Sequence, residues 1–237
     1  MDHAYHEAWR VVKHSASDPK PLHCRSSRRS HRATGPRMSK SGDAGARERL
    51  MEATAQIMRE EGYAAATSRR VAAAAGVRSA LVYYYFPTMD DLFLAVLRTG
   101  AQGALERMRQ AITEDDPLRA LWTINTDTRF TQLNMEFMAL ANHRKAIGTE
   151  LRIYAERVRD IETAAVTLVL RAYGVDLAEF PPVVMSMLLT GAARILCNEG
   201  AVGVEQGHAE LRAFVERYMN RFDSPLPVRN SRPEPAS

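Results

Sequence analysis

From residue 46 onward, apolar positions recur at three- and four-residue spacing. Leu50, Ala53, Ile57 and Met58 form the stripe of an amphipathic helix that Gly62 ends. Thr67 and Ser68 then offer hydroxyl N-caps to a short helix over 69–75, and Gly76 supplies the positive φ of a tight turn. Arg78 and Ser79 open a third helix through Ala80, Leu81, Val82, Tyr83, Tyr84 and Tyr85. Phe86-Pro87 closes it, because a residue before proline is steered away from helical angles. A fourth helix starts after Thr88, which has capping-box spacing to Asp91 with Asp in the place of Glu, and continues past Leu92, Ala95 and Val96.

Farther on, the pattern breaks at 115–117, 142–145, 174–176, 181–182 and 200–207, which predicts helices near 117–125, 127–142, 145–173, 181–198 and 208–222. No stretch alternates with the period of two that a half-buried strand requires, so the expected fold is all-α. Residues 1–43 carry Ser, His, Arg and Lys without a sustained apolar period, and are expected to be a disordered basic arm. Such an arm either reaches DNA phosphates or, if Met38 is the initiator, is not part of the native protein. The tail, 223–237, holds Pro225, Pro227, Pro233 and Pro235 and is also expected to be disordered.

Composition narrows the class. With 46% hydrophobic and 25% charged residues, the chain reads as an ordinary globular protein. Nine Lys and Arg stand against three acids in the first 40 residues, a surplus of six, while the whole chain carries +4; the rest is therefore about −2. The basic character belongs to the arm. Apolar runs such as 183–189 fall far short of the roughly 20 residues a membrane span needs. No apolar run follows the N-terminal charges as a signal peptide would require, and the expected location is cytoplasmic. Cys24 and Cys197 have no metal-type spacing. His143, beside Asn142, Arg144 and Lys145, lacks a nucleophile, a metal pattern or a phosphate loop, so it reads as a junction residue and the chain as no enzyme. Neither a metal nor a cofactor is expected.

A short helix, a glycine turn and a second helix opening on Arg78, Ser79 and Ala80 have the form that enters a DNA major groove. The run TSRRVAAAAGVRSALVYYYFPTMDDLFLAVL, preceded by a helix ending in EEGY, resembles the DNA-binding region of the TetR family of bacterial regulators. The resemblance covers 46–97. It implies a homodimeric all-α repressor with an N-terminal three-helix DNA-binding domain (44–104, helix-turn-helix motif 67–86) and a divergent C-terminal ligand-binding and dimerisation domain (105–222). By position it also implies that Thr67, Ser68, Arg69, Tyr83 and Tyr84 hold phosphates of double-stranded operator DNA, while Arg78, Ser79 and Ala80 face base edges. One departure stands out: Met89 occupies the place where the family usually has a lysine. The amides behind Thr88 remain a possible phosphate seat.

In the C-terminal half, Trp122, Phe137, Met138 and Met185 are the candidates for lining a pocket for a small, largely apolar effector of unknown identity; the alternative is that they fill the core. Val184, Met187, Leu188, Gly191, Ala192 and Ile195, with Leu211, Phe214, Val215, Tyr218 and Phe222, make two stripes suited to a four-helix dimer interface, or to packing within the chain.

Overall fold

The structure, a computed structural model, describes residues 40–222. Residues 1–39 of the expected arm, and the expected tail, lie outside the described residues. The described chain holds nine α-helices in order: α1 (Lys40–Glu61), α2 (Ser68–Ala74), α3 (Ser79–Tyr85), α4 (Met89–Ala111), α5 (Pro117–Asn125), α6 (Thr128–Ala141), α7 (Lys145–Ala172), α8 (Pro182–Ala201) and α9 (His208–Met219). Short 3-10 turns follow α1, at Tyr63–Ala65, and α9, at Asn220–Phe222. No strand occurs among the described residues. α1 begins six residues before the first expected helical position, because its opening turns are polar and leave no apolar stripe to mark them.

The chain divides into two compact units, one ending at Gly103 and the other beginning at Ala104, and α4 runs through the division. In the first unit, α1 buries Leu50, Met51, Ala53, Ile57 and Met58, and α2 and α3 bury Val71, Ala72 and Val82. The first half of α4 adds Leu92, Phe93, Val96 and Leu97. Thr54 is fully buried in this core, and its hydroxyl donates to the Leu50 carbonyl at 2.7 Å, so no polar group is stranded there.

In the second unit α7 is the central helix, packing on α5, α6 and α8. Its inward stripe is Ile147, Leu151, Tyr154, Val158, Ala165, Val166 and Leu170, with one carboxylate, Glu162, set in the same stripe. Burial pushes the Tyr154 phenol well above its ordinary value, so it stays protonated. Asp116 caps α5 through the Arg119 amide at 3.0 Å, and the Arg119 side chain pairs with Asp116 and with Glu216 of α9. Both carboxylates raise the Arg119 guanidinium above its ordinary value, Glu216 by the larger hydrogen-bond effect.

Candidate nucleic-acid interface

The turn between α2 and α3 is a Schellman motif. The Val77 amide donates to the Ala72 carbonyl at 2.9 Å and the Gly76 amide to the Ala73 carbonyl at 3.2 Å, with Gly76 at φ +66°. A side chain rarely adopts that φ, so glycine here lets two seven-residue helices meet without strain. Neither helix is long enough to be stable alone. Val71, Ala72 and Val82, all buried, hold the pair against the first unit's core.

With Val82 and Phe86 turned inward, α3 turns its other side out. Arg78, Ser79, Ala80, Tyr83 and Tyr84 are all exposed. Arg78 is the N-cap residue of α3, in extended conformation, exposed and without a side-chain cap bond. Thr67 caps α2 by accepting from the Arg70 amide at 3.3 Å. The Tyr83 hydroxyl donates to Ser68 Oγ at 3.1 Å, which ties the outer face of α3 to the first turn of α2. Thr67, Ser68 and Tyr83 therefore stand together around the N-terminus of α2, with Arg69 exposed beside them. Tyr85 is half-buried, edge-on to Tyr84 with ring centres 5.0 Å apart, and packs rather than projects.

Two electrostatic features complete the first unit's site, and only the second is legible in the sequence pattern. Arg70 is held by Glu61 through Nε at 3.1 Å and Nη2 at 2.5 Å, and this hydrogen bond, together with the Glu61 charge, pushes the guanidinium above its ordinary value. Of the adjacent arginines, Arg70 is thus neutralised while Arg69 forms no ion pair among the described residues. At the start of α4, the Thr88 amide and hydroxyl both donate to Asp91 at 3.0 and 2.8 Å, and the Asp91 amide donates back to Thr88 Oγ1 at 3.1 Å. The capping box forms as its spacing implies. Asp91 takes the amide and hydroxyl of Thr88 itself, and Asp90 and Asp91 put negative charge on the first turn, which works against a phosphate seat there.

In the second unit, Trp122 is half-buried and lines a narrow crevice of about 10 Å³ between α5, α7 and α8. Phe137 is fully buried in α6, Met138 lies exposed on the same helix, and Met185 packs against Leu118, Val166 and Leu170. The four candidate effector contacts thus occupy different settings rather than one cavity. Glu162, which lines the crevice, is not among the residues that the sequence pattern singles out. Its signal was its place in the stripe of α7, four residues after Val158 and four before Val166. Among the described residues no group of three or more His, Cys, Asp or Glu could hold a metal, and no helix is long and apolar enough to cross a membrane.

A three-helix core that turns out a face of arginine, serine, alanine and tyrosine has the form of a helix-turn-helix DNA-binding domain. Residues 50–96 match the family model of bacterial regulatory proteins of the tetR family, so this stretch of the chain is similar to that family's DNA-binding region. No curated protein matches the chain. Solved structures share its fold. A transcriptional regulator from Rhodococcus sp. Rha1 is 22% identical with a TM-score of 0.58, over 76% of this chain and 98% of the other. A TetR transcription regulator from Haloarcula marismortui is 23% identical with a TM-score of 0.60, over 75% and 98%. The multidrug binding protein EbrR, solved with malachite green, is 21% identical with a TM-score of 0.51, over 77% and 98%.

Proposed function

We propose that this regulator represses transcription in the cytoplasm by binding a palindromic operator as a homodimer, and leaves DNA when a small effector binds its second unit. The observation that carries this reading is the outward face of α3, fixed to α2 by the Schellman turn and the Tyr83–Ser68 bond. On it, Arg78, Ser79 and Ala80 read base edges while Thr67, Ser68, Arg69, Tyr83 and Tyr84 grip phosphates. The DNA-binding domain spans 44–104 and the effector and dimerisation domain 105–222, a partition that the division after Gly103 supports.

Dimerisation uses α8 and α9. Val184, Met187, Leu188 and Ile195 on α8 and Phe214 on α9 are exposed, Leu188 at 61% and Phe214 at 59%. Large apolar side chains exposed in this number mark an interface. A Cβ built on Gly191 would meet nothing within 4 Å in the chain, so no contact within the chain requires its smallness. Two copies are also what a palindrome requires.

Trp122, Phe137, Met138 and Met185 are the proposed effector contacts, and the likeness in fold to EbrR, a multidrug binding protein solved with malachite green, supports a small-molecule effector. The effector acts by changing the separation of the two recognition helices in the dimer. A second reading, a DNA-binding protein without an effector, is favoured by the small volume of the crevice, about 10 Å³, which is room for about one water. The test is selection of genomic fragments by the purified protein, followed by footprinting. A protected palindrome with half-sites about one helical turn apart supports the proposal. Binding that depends on salt but not on sequence refutes it.

A further inference from the structure

Glu162 is a carboxylate placed where a bundle gains most from an apolar side chain. It is 3% exposed and sits in the buried stripe of α7, and its neighbours along the crevice include Leu121, Trp122, Val166 and Leu189. A carboxylate accepts about four hydrogen bonds. Among the described residues, Glu162 receives one from Asn125 Nδ2 at 2.9 Å and shares one from Thr190 Oγ1 at 2.8 Å. The Thr190 hydroxyl has a single proton, and the Ser186 carbonyl competes for it, also at 2.8 Å. Arg159 is half-exposed, stays 3.7 Å from Glu162 Oε2, and directs the same Nη1 to Ser186 Oγ at 3.3 Å. The charge is therefore only partly compensated, by neutral donors and one cation beyond hydrogen-bond reach. Replacing such a group by an apolar one commonly leaves a fold as stable or more so, so stability does not account for it.

We propose that Glu162 anchors an effector that joins an ammonium head to a small apolar body, bound between α5, α7 and α8. The head takes the unfilled acceptor sites of the carboxylate, with the Asn125 side-chain oxygen beside it, and the body displaces Trp122 along the wall formed by Leu121, Val166 and Leu189. This rests on the reading of the second unit as an effector domain and names the chemistry of its ligand. Because the crevice holds only about 10 Å³, the ligand pays for its opening, which weakens binding without changing its selectivity for a cation.

The experiment uses the full chain carrying Trp9→Phe, which leaves Trp122 as its sole indole. Benzylammonium and phenethylammonium are titrated against benzyl alcohol and phenethyl alcohol, with Trp122 emission and thermal unfolding as readouts. The ammoniums shift both readouts, and the alcohols bind on the order of 10-fold more weakly or worse, the usual margin of a charge-assisted hydrogen bond. In Glu162→Gln, ammonium affinity falls to that of the alcohols. Should that variant not fold, the ammonium-to-alcohol ratio of the parent chain decides. Equal affinity for both classes, or full ammonium affinity in Glu162→Gln, overturns the cationic head while leaving the effector domain intact. No response to any of the four compounds overturns the proposal, and failure of a broad panel of apolar compounds in the same assay then overturns the effector reading as well.

Discussion

Replacing Arg78 with alanine separates the reading of bases from the grip on phosphates. The side chain is exposed, caps nothing and forms no ion pair among the described residues, so its loss leaves no buried group unsatisfied. Unfolding free energy should change by less than about 0.5 kcal/mol. At the operator, a bidentate arginine–guanine contact is worth about 1 to 3 kcal/mol per half-site, or roughly a 5- to 150-fold loss of affinity. Two protomers on one palindrome double the free energy. On a scrambled duplex the same substitution removes at most one weak phosphate attraction per protomer, and the loss should stay within a few-fold. Fluorescence anisotropy on both duplexes at one fixed salt concentration measures the difference directly. Tyr84→Phe is the control. Its exposed side chain is the proposed phosphate contact, so the substitution should weaken both duplexes alike. If Arg78→Ala lowers affinity for the two duplexes equally, the assignment of Arg78 to base reading is refuted.

Met89→Lys should restore a cation at the start of α4, tighten binding to any duplex, and steepen the dependence of log affinity on log salt by about one per protomer; an unchanged slope rules out phosphate proximity at that position. Asp91→Ala should lower stability by about 1 kcal/mol through loss of the two bonds that its carboxylate accepts from the Thr88 amide and hydroxyl, seen as a fall in Tm. Its affinity for scrambled DNA should nonetheless rise, since a negative charge leaves the first turn of α4. Gly76→Ala should cost about 1 kcal/mol from φ strain alone, because an added Cβ meets nothing within 4 Å; a neutral result by calorimetry contradicts the turn geometry. Leu188→Glu should convert the dimer to a folded monomer in sedimentation, with operator binding lost, because Leu188 is exposed within one chain and its substitution leaves the core untouched.

Much of the chain was legible without coordinates because its information is local. The helix succession follows from apolar spacing, and the breaks from Gly62, Gly76, Pro87 and Pro117, whose backbone preferences act within a few residues. The Thr88–Asp91 cap was readable for the same reason: both partners lie in one turn. The exposed face of α3 could be assigned because Val82 and Phe86 fix which side is buried.

What the tertiary structure alone decided involves partners distant in sequence. Arg69 and Arg70 are equivalent as letters, and only the approach of Glu61, nine residues earlier, neutralises one and leaves the other facing outward. The Tyr83–Ser68 bond spans 15 residues and depends on the angle at which α2 and α3 meet. The four candidate effector contacts lie on three helices, and no periodicity states whether such side chains share a cavity; here Phe137 is buried while Met138 is exposed. Glu162 is the clearest case. Its place in the apolar stripe of α7 could be counted from the sequence, but Asn125 and Thr190 reach it from 37 and 28 residues away, and only packing brings them to its carboxylate.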